Sequence, residues 1–429
     1  MTAAGVATAN VSITTANAQI GRALDSIPAT ISATGPMTAG LEFIQNGFGS
    51  IQIHITASAP GTGTITVSAG GKSASISVTA VALSFNSIDM ADGNACGIAL
   101  DETAWCWGGN QSGQLGTETS GRCFGSACQY SVTEGNPTPF PVDGDRTFTR
   151  VATAGYLCIP GGGAESTCGK TCALTAAGAV WCWGEGFGFA PSAIAGLALK
   201  SLTVLPSPAV RGGSMSCGLA TDGKAYCFTA TATTPIGNGM TFTSLSAGIT
   251  HSCGVDAVGD VYCWGASNYG NLGADSTDVA THPNPERAVS SVKFTAVDVG
   301  RNSTCALDTA GVVRCWGQGY AADGVSPPPA CVGTTLCQPS PRRVEGGRTY
   351  VAFSRPDAPS GLCALAADGS VDCWSAYNKA PFPVPLPEPM TNLSLGKTWA
   401  GSEVVACGVS VTHVAYCWTP AGVVTKLGQ

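Results

Sequence analysis

The stretch CGVDAVGDVYCWG, Cys253 to Gly265, sets two cysteines ten positions apart around a glycine and follows the second with Trp-Gly. The same spacing joins Cys96 to Cys106, Cys172 to Cys182, Cys217 to Cys227, Cys305 to Cys315, Cys363 to Cys373 and Cys407 to Cys417. Seven copies, with starts 36 to 76 residues apart, mark a propeller or solenoid whose loops vary in length.

With the first cysteine counted as zero, position two is always Ile, Leu or Val and position eight is always Ala or Val. Position six is glycine in five copies: Gly178, Gly223, Gly259, Gly311 and Gly369. This is the pattern of a β-hairpin with a three-residue loop whose last residue is left-handed, a conformation open to glycine at no Cβ penalty. Position zero then faces position ten as a non-hydrogen-bonded pair, with Cα atoms about 4.5 Å apart, at the short end of what a disulfide spans. Side chains alternate along a strand, so the cysteines share a face with the apolar residues at two and eight. Each hairpin presents one dry, stapled face.

Zinc fits these cysteines poorly, since the chain has no C-x-x-C and its four histidines, His54, His251, His282 and His413, are dispersed. The other six cysteines also pair locally, Cys123 with Cys128, Cys158 with Cys168 and Cys331 with Cys337, which uses all 20. Ten disulfides place the protein in an oxidising compartment, outside the cell, on its surface or in a periplasm.

Composition narrows the function. Gly 57, Pro 26 and abundant β-branched residues favour short strands joined by turns, an all-β class. A net charge of -7 with only 20 Lys and Arg leaves no basic footprint for nucleic acid. No apolar run is long enough to span a membrane, and the opening MTAAGVATANVSITTANAQI lacks the basic and apolar regions of a signal peptide. There is no H-E-x-x-H and no G-x-S-x-G, so the expectation is a non-enzyme without metal or cofactor, with His251 a packed repeat residue.

CWGGNQSGQLG (Cys106 to Gly116) and CWGASNYGNLG (Cys263 to Gly273) resemble the repeat of the regulator of chromosome condensation family, a seven-bladed β-propeller, here of a secreted, disulfide-rich bacterial type. An aromatic residue follows the second cysteine throughout: Trp107, Trp183, Phe228, Trp264, Trp316, Trp374 and Trp418. PTPFPV, PSPRRV and PFPVPLP resemble the family's outer strand. The W-G-x-N-x-x-G-x-L-G signature stands in full in the first copy and, with Ser267 in place of the Asn, in the fourth; the third reads CFTATATTPIG and the sixth CWSAYNK. Before Phe85 the chain lacks cysteine, and SIQIHITASAPGTGTITVSAGGKSASISVTAV alternates apolar and polar residues between glycine turns, similar to a bacterial immunoglobulin-like domain. The boundaries drawn are an immunoglobulin-like β-sandwich over 1–82, with NVSITT its first strand or a free arm, and the propeller over 83–429.

The aromatic residues beside the cysteines read as filler between blades. The candidate contact residues are Phe187, Phe189, Tyr269, Tyr320 and Trp399, at loop or degenerate positions. The resemblance implies a non-catalytic extracellular binding or structural protein, a surface adhesin or recognition module, whose partner is an extracellular protein or glycan. Two alternatives stay open: a homo-polymer assembled through the N-terminal domain as a fibre or surface layer, and an exported propeller lyase or hydrolase.

Overall fold

A computed structural model describes residues 8–13, 29–35, 37–44, 50–57, 61–69, 72–80, 83–117, 123–124, 127–128, 136–158, 166–205, 215–267, 269–275, 280–318, 337–344, 346, 348–354, 361–374, 380–397, 404–419 and 422–427. The chain divides into two compact units, residues 1–84 with 138–140 and 426–429, and residues 85–137 with 141–425. All the regular elements described are strands.

Seven four-stranded antiparallel sheets follow one another along the chain, over 85–141, 150–198, 201–241, 244–287, 294–343, 352–383 and 390–426. They are the blades of a seven-bladed propeller. In blade 4 the order is Ser244–Ala247, His251–Val255, Val261–Ala266 and Thr281–Arg287, and each blade likewise draws its four strands from one contiguous stretch. The proline-bearing segments Asn136–Pro141, Cys337–Arg343 and Phe382–Pro383 are fourth strands, at the sheet edge where a missing N–H costs no ladder bond.

The central hairpins share one geometry. Position zero faces position ten in every blade, and the seven cysteine pairs are bonded with Cα atoms 3.9 to 4.1 Å apart. The N–H of position three donates to the carbonyl of position seven, as from Asp256 to Asp260 at 2.9 Å, and that of position six turns back to position three. Position six is left-handed in all seven, including the two copies without glycine, Glu102 at φ 65° and His413 at φ 65°. An Asp often completes the turn: Asp256 Oδ1 accepts from the N–H of Val258 and of Asp260.

The core lies between blades. Cys253, Val255, Val261 and Cys263 of blade 4 pack on Phe294, Val297, Ala306 and Trp316 of blade 5, and Cys96, Ile98, Ala104 and Cys106 of blade 1 pack likewise on Ala173 and Trp183 of blade 2. Alternation makes this possible: a cystine faces one neighbouring blade and the adjacent Trp faces the other. All seven aromatic residues at that position are buried.

The N-terminal unit holds two three-stranded antiparallel sheets. One orders Thr8–Ile13, Ser50–Ala57 and Met37–Ile44, the other Ala29–Ala33, Gly61–Ala69 and Lys72–Ala80. Thr8–Ile13, which overlaps NVSITT at Asn10 to Ile13, pairs over its whole length with Ile51–Thr56 of its own chain. The immunoglobulin-like assignment goes beyond these two sheets.

Candidate functional site

The first strands of all seven blades line one axial channel of about 210 Å³. Its polar collar is set by register. Opposite the first cysteine of each hairpin stand Asp89, Ala152, Thr203, Ser246, Asp298 and Ser394 in blades 1 to 5 and 7. In blade 6 Ser354 occupies this place, its Oγ accepting from the Cys363 N–H at 3.0 Å. The carboxylates tie blades together. Asp89 accepts from Thr153 N at 2.6 Å and Thr153 Oγ1 at 3.1 Å in blade 2, and from Ser394 Oγ at 3.0 Å in blade 7, while Asp298 accepts from Ser246 Oγ at 2.6 Å. Asp89 thereby joins the last blade to the first. Charge-assisted hydrogen bonds of this kind are the stronger ones.

In blades 1, 2, 4 and 5 a second set of polar groups, Asn94, Lys170, His251 and Ser303, is buried two residues before the first cysteine. In blade 4 this is His251, 2% exposed, with Nδ1 3.0 Å from Thr250 Oγ1 and Nε2 2.7 Å from Thr304 Oγ1 of blade 5. Burial pushes its pKa down to about 3, so the ring is neutral at ordinary pH. In blade 2 the same place holds Lys170, 1% exposed, whose Nζ donates to the Met215 carbonyl at 3.0 Å. Burial lowers its pKa to about 8, against the opposing pull of Glu185. Glu185 accepts from Tyr156 Oη at 2.8 Å, and burial, then Glu185, raises the Tyr156 pKa. Among the described residues no three His, Cys, Asp or Glu side chains gather as a metal site.

The W-G-x-[NS]-x-x-G-x-L-G loops of blades 1 and 4 are clasps. In blade 1 Asn110 Oδ1 accepts from the Leu115 N–H at 2.9 Å and shapes the loop. The Gln114 carbonyl then accepts from Trp183 Nε1 and Thr171 Oγ1 of blade 2, both at 3.0 Å. Blade 4 repeats this, the Asn271 carbonyl accepting from Trp316 Nε1 at 2.8 Å and Thr304 Oγ1 at 2.9 Å. Gly116 and Gly273 are required because a Cβ on either would stand 2.8 Å from the indole nitrogen of Trp183 or Trp316. Where the loop degenerates in blade 6, the next indole, Trp418 Nε1, is buried with no hydrogen-bond partner among the described residues.

The candidate contact residues separate. Phe187 is 8% exposed and belongs to the blade 2 core with Val180 and Ile194. It is corrected from a contact residue to a core one: the turn closed by Phe187 N–H to the Gly184 carbonyl at 2.9 Å carries its ring inward. Phe189 is half-buried, its Cα only 2.8 Å from where a Cβ on Gly113 would lie, and Tyr269 is half-buried on the blade 4 clasp. Tyr320 and Trp399 lie outside the described residues. Cys123 and Cys128 are register partners. Cys168 faces Tyr156, and Cys158 faces Ser166; Cys168 and Cys337 are disulfide-bonded, while Cys331 lies outside the described residues. The sequence reading missed Asp89, Asp298 and Lys170.

The family description "Regulator of chromosome condensation (RCC1) repeat" matches residues 258–307 and, in a second form, residues 242–271. Among solved structures, yeast RCC1 (Prp20) bound to Kap60 superposes with a TM-score of 0.57 at 16% identity over 76% of this chain and 80% of that one. Prp20p from Saccharomyces cerevisiae gives 0.57 at 14% identity over 76% and 83%. Human WBSCR16 gives 0.56 at 15% identity over 75% and 88%. At such identities the likeness shows the fold. No curated protein matches the sequence.

Proposed function

We propose that the chain is a non-catalytic recognition protein of an oxidising, extracytoplasmic setting, with an immunoglobulin-like domain over 1–82 and a ring over 83–429 that binds a protein partner through the loop ends of its blades. The observation that carries this reading is the use made of the polar groups. Asp89, Asp298, His251 and the clasp carbonyls all bond from one blade to the next, and the hairpin cysteines are held as cystines. The ring is thus a rigid platform, and rigid elements position binding loops well. The work on Prp20p concerns its binding to Gsp1p and histones, which makes protein the partner class favoured by analogy, although fold alone does not dictate function.

Two measurements test the proposal. Thiol titration of the chain unfolded without reductant is expected to find no reactive cysteine; many free thiols would remove the compartment assignment. Panels of extracellular proteins and of glycans, screened against the immobilised chain, are expected to yield a saturable protein ligand whose binding falls in Tyr269→Ala. Binding confined to glycans would overturn the partner class.

A further inference from the structure

The N-terminal unit carries a long unguarded sheet edge. Lys72–Ala80 pairs with Gly61–Ala69 through nine consecutive positions without a register shift, and among the described residues no strand pairs with its other side. Native edges are usually blunted by proline, interior charge, bulges or short length. KSASISVTA has no proline, its one charge is at the first residue, and its ladder is unbroken. By contrast, Met37–Ile44 contains Glu42 and Ala29–Ala33 is five residues long after Pro28.

The hairpin fixes which groups point outward. The register ends with Ala69 opposite Lys72, which only Gly70 and Gly71 separate in the sequence, and this makes Ala69 and Lys72 the closing hydrogen-bonded pair of the hairpin. Alternation then gives Ala74, Ile76 and Val78 the inward bonds, and leaves the N–H and C=O of Ser73, Ser75, Ser77 and Thr79 facing away. We infer that this edge pairs with the same edge of a second copy of the chain, antiparallel about a two-fold axis at Ile76. In that register Ser75 meets Ser77 and Ser73 meets Thr79 of the copy, so outward-facing residues meet only outward-facing residues. The two Lys72 positions stand eight residues from each other along the joint, about 26 Å, beyond strong repulsion. The exposed face already runs a hydroxyl ladder, Thr66 Oγ1 to Ser75 Oγ at 2.8 Å and Ser68 Oγ to Ser73 Oγ at 2.7 Å, which Ser75 and Ser77 of the two copies extend. Isologous strand addition of this kind needs no new element.

Ser75→Pro removes an outward N–H and leaves the intramolecular ladder its bonds, while Ser75→Ala keeps the N–H. Sedimentation of the full chain across a wide concentration range is expected to show mass doubling for the native protein and Ser75→Ala, and its loss in Ser75→Pro with the near-ultraviolet circular dichroism unchanged. Hydrogen exchange on the unaltered chain is expected to slow at Ser73, Ser75, Ser77 and Thr79 as concentration rises. A native chain monomeric throughout, equal association of Ser75→Pro, or exchange at those amides independent of concentration would overturn the inference. If Ser75→Pro fails to fold, the exchange measurement decides. None of these outcomes bears on ligand binding by the ring.

Discussion

Acidification puts the packing of His251 to a quantitative test. Its pKa is about 3 in the fold, against about 6.5 for a free imidazole. Between those values the unfolded chain binds a proton that the folded chain refuses. The stability tied to this ring is therefore complete above about pH 6.5 and is lost as pH falls, by about 2 kcal/mol at pH 5. An opposing effect is built into the site. Thr250 Oγ1 lies 2.6 Å from the Arg301 carbonyl and Thr304 Oγ1 2.9 Å from the Asn271 carbonyl, so a doubly protonated ring would free both hydroxyls to donate to carbonyls. That gain is one hydrogen bond, about 1 kcal/mol. The desolvation of a buried cation costs several kcal/mol and prevails. Urea unfolding followed by tryptophan fluorescence, at neutral pH and at about pH 5, gives the loss in the native protein and in His251→Gln. Every other titrating group cancels in the difference between the two, which should come to about 2 kcal/mol. Equal losses in both proteins would show that the folded ring accepts the proton and that the hydroxyl network outweighs burial.

Lys170 gives the converse. Its charge is penalised by about 3 kcal/mol below pH 8 and the penalty fades between about pH 8 and 10.5, so native stability should rise across that window in the urea midpoint and the rise should vanish in Lys170→Met. Glu102 is left-handed and exposed, so Glu102→Gly should stabilise by about 1 kcal/mol, read as a higher thermal midpoint. Gly273→Ala forces a Cβ against Trp316 at a φ of 74° and should cost about 3 kcal/mol in chemical denaturation, with the Trp316 fluorescence altered as the clasp lifts.

The hairpins were legible because everything that defines them is local. Ten residues between cysteines, glycine at position six and apolar residues at two and eight determine register without reference to the rest of the chain, and even Glu102 and His413 keep the left-handed turn that glycine marks elsewhere. The axial collar was not legible. Asp89, Ser246 and Asp298 stand seven residues before their cysteines, but Thr203 stands fourteen before Cys217 and Ser394 thirteen before Cys407. Loop insertions between first and second strands erase the period that would have aligned them. Phe187 misled for a related reason: its loop position suggested exposure, whereas the glycines on both sides, Gly186 and Gly188, adopt positive φ and let the turn fold its ring inward. Lys170 carried a signal, a charge at the place that His251 occupies in blade 4, and burial of a lone lysine is rare enough to have been passed over.

Each blade is cut from one continuous length of chain, and no strand is exchanged between the first and the last. The circle is consequently fastened at its ends by non-covalent bonds, among them Ser394 to Asp89, Asn392 Nδ2 to the Ile88 carbonyl at 3.1 Å and the Phe85 N–H to the His413 carbonyl at 3.0 Å, like a bracelet with a clip. Tension applied at the ring's own ends, Phe85 and Thr425, is therefore expected to part that clip first and peel blades off singly, while each cystine withholds its own hairpin loop from the pull. In single-molecule stretching, adding a reductant should lengthen the fully extended molecule by these seven hidden loops and by the shorter lengths closed by the three further cystines expected from the sequence.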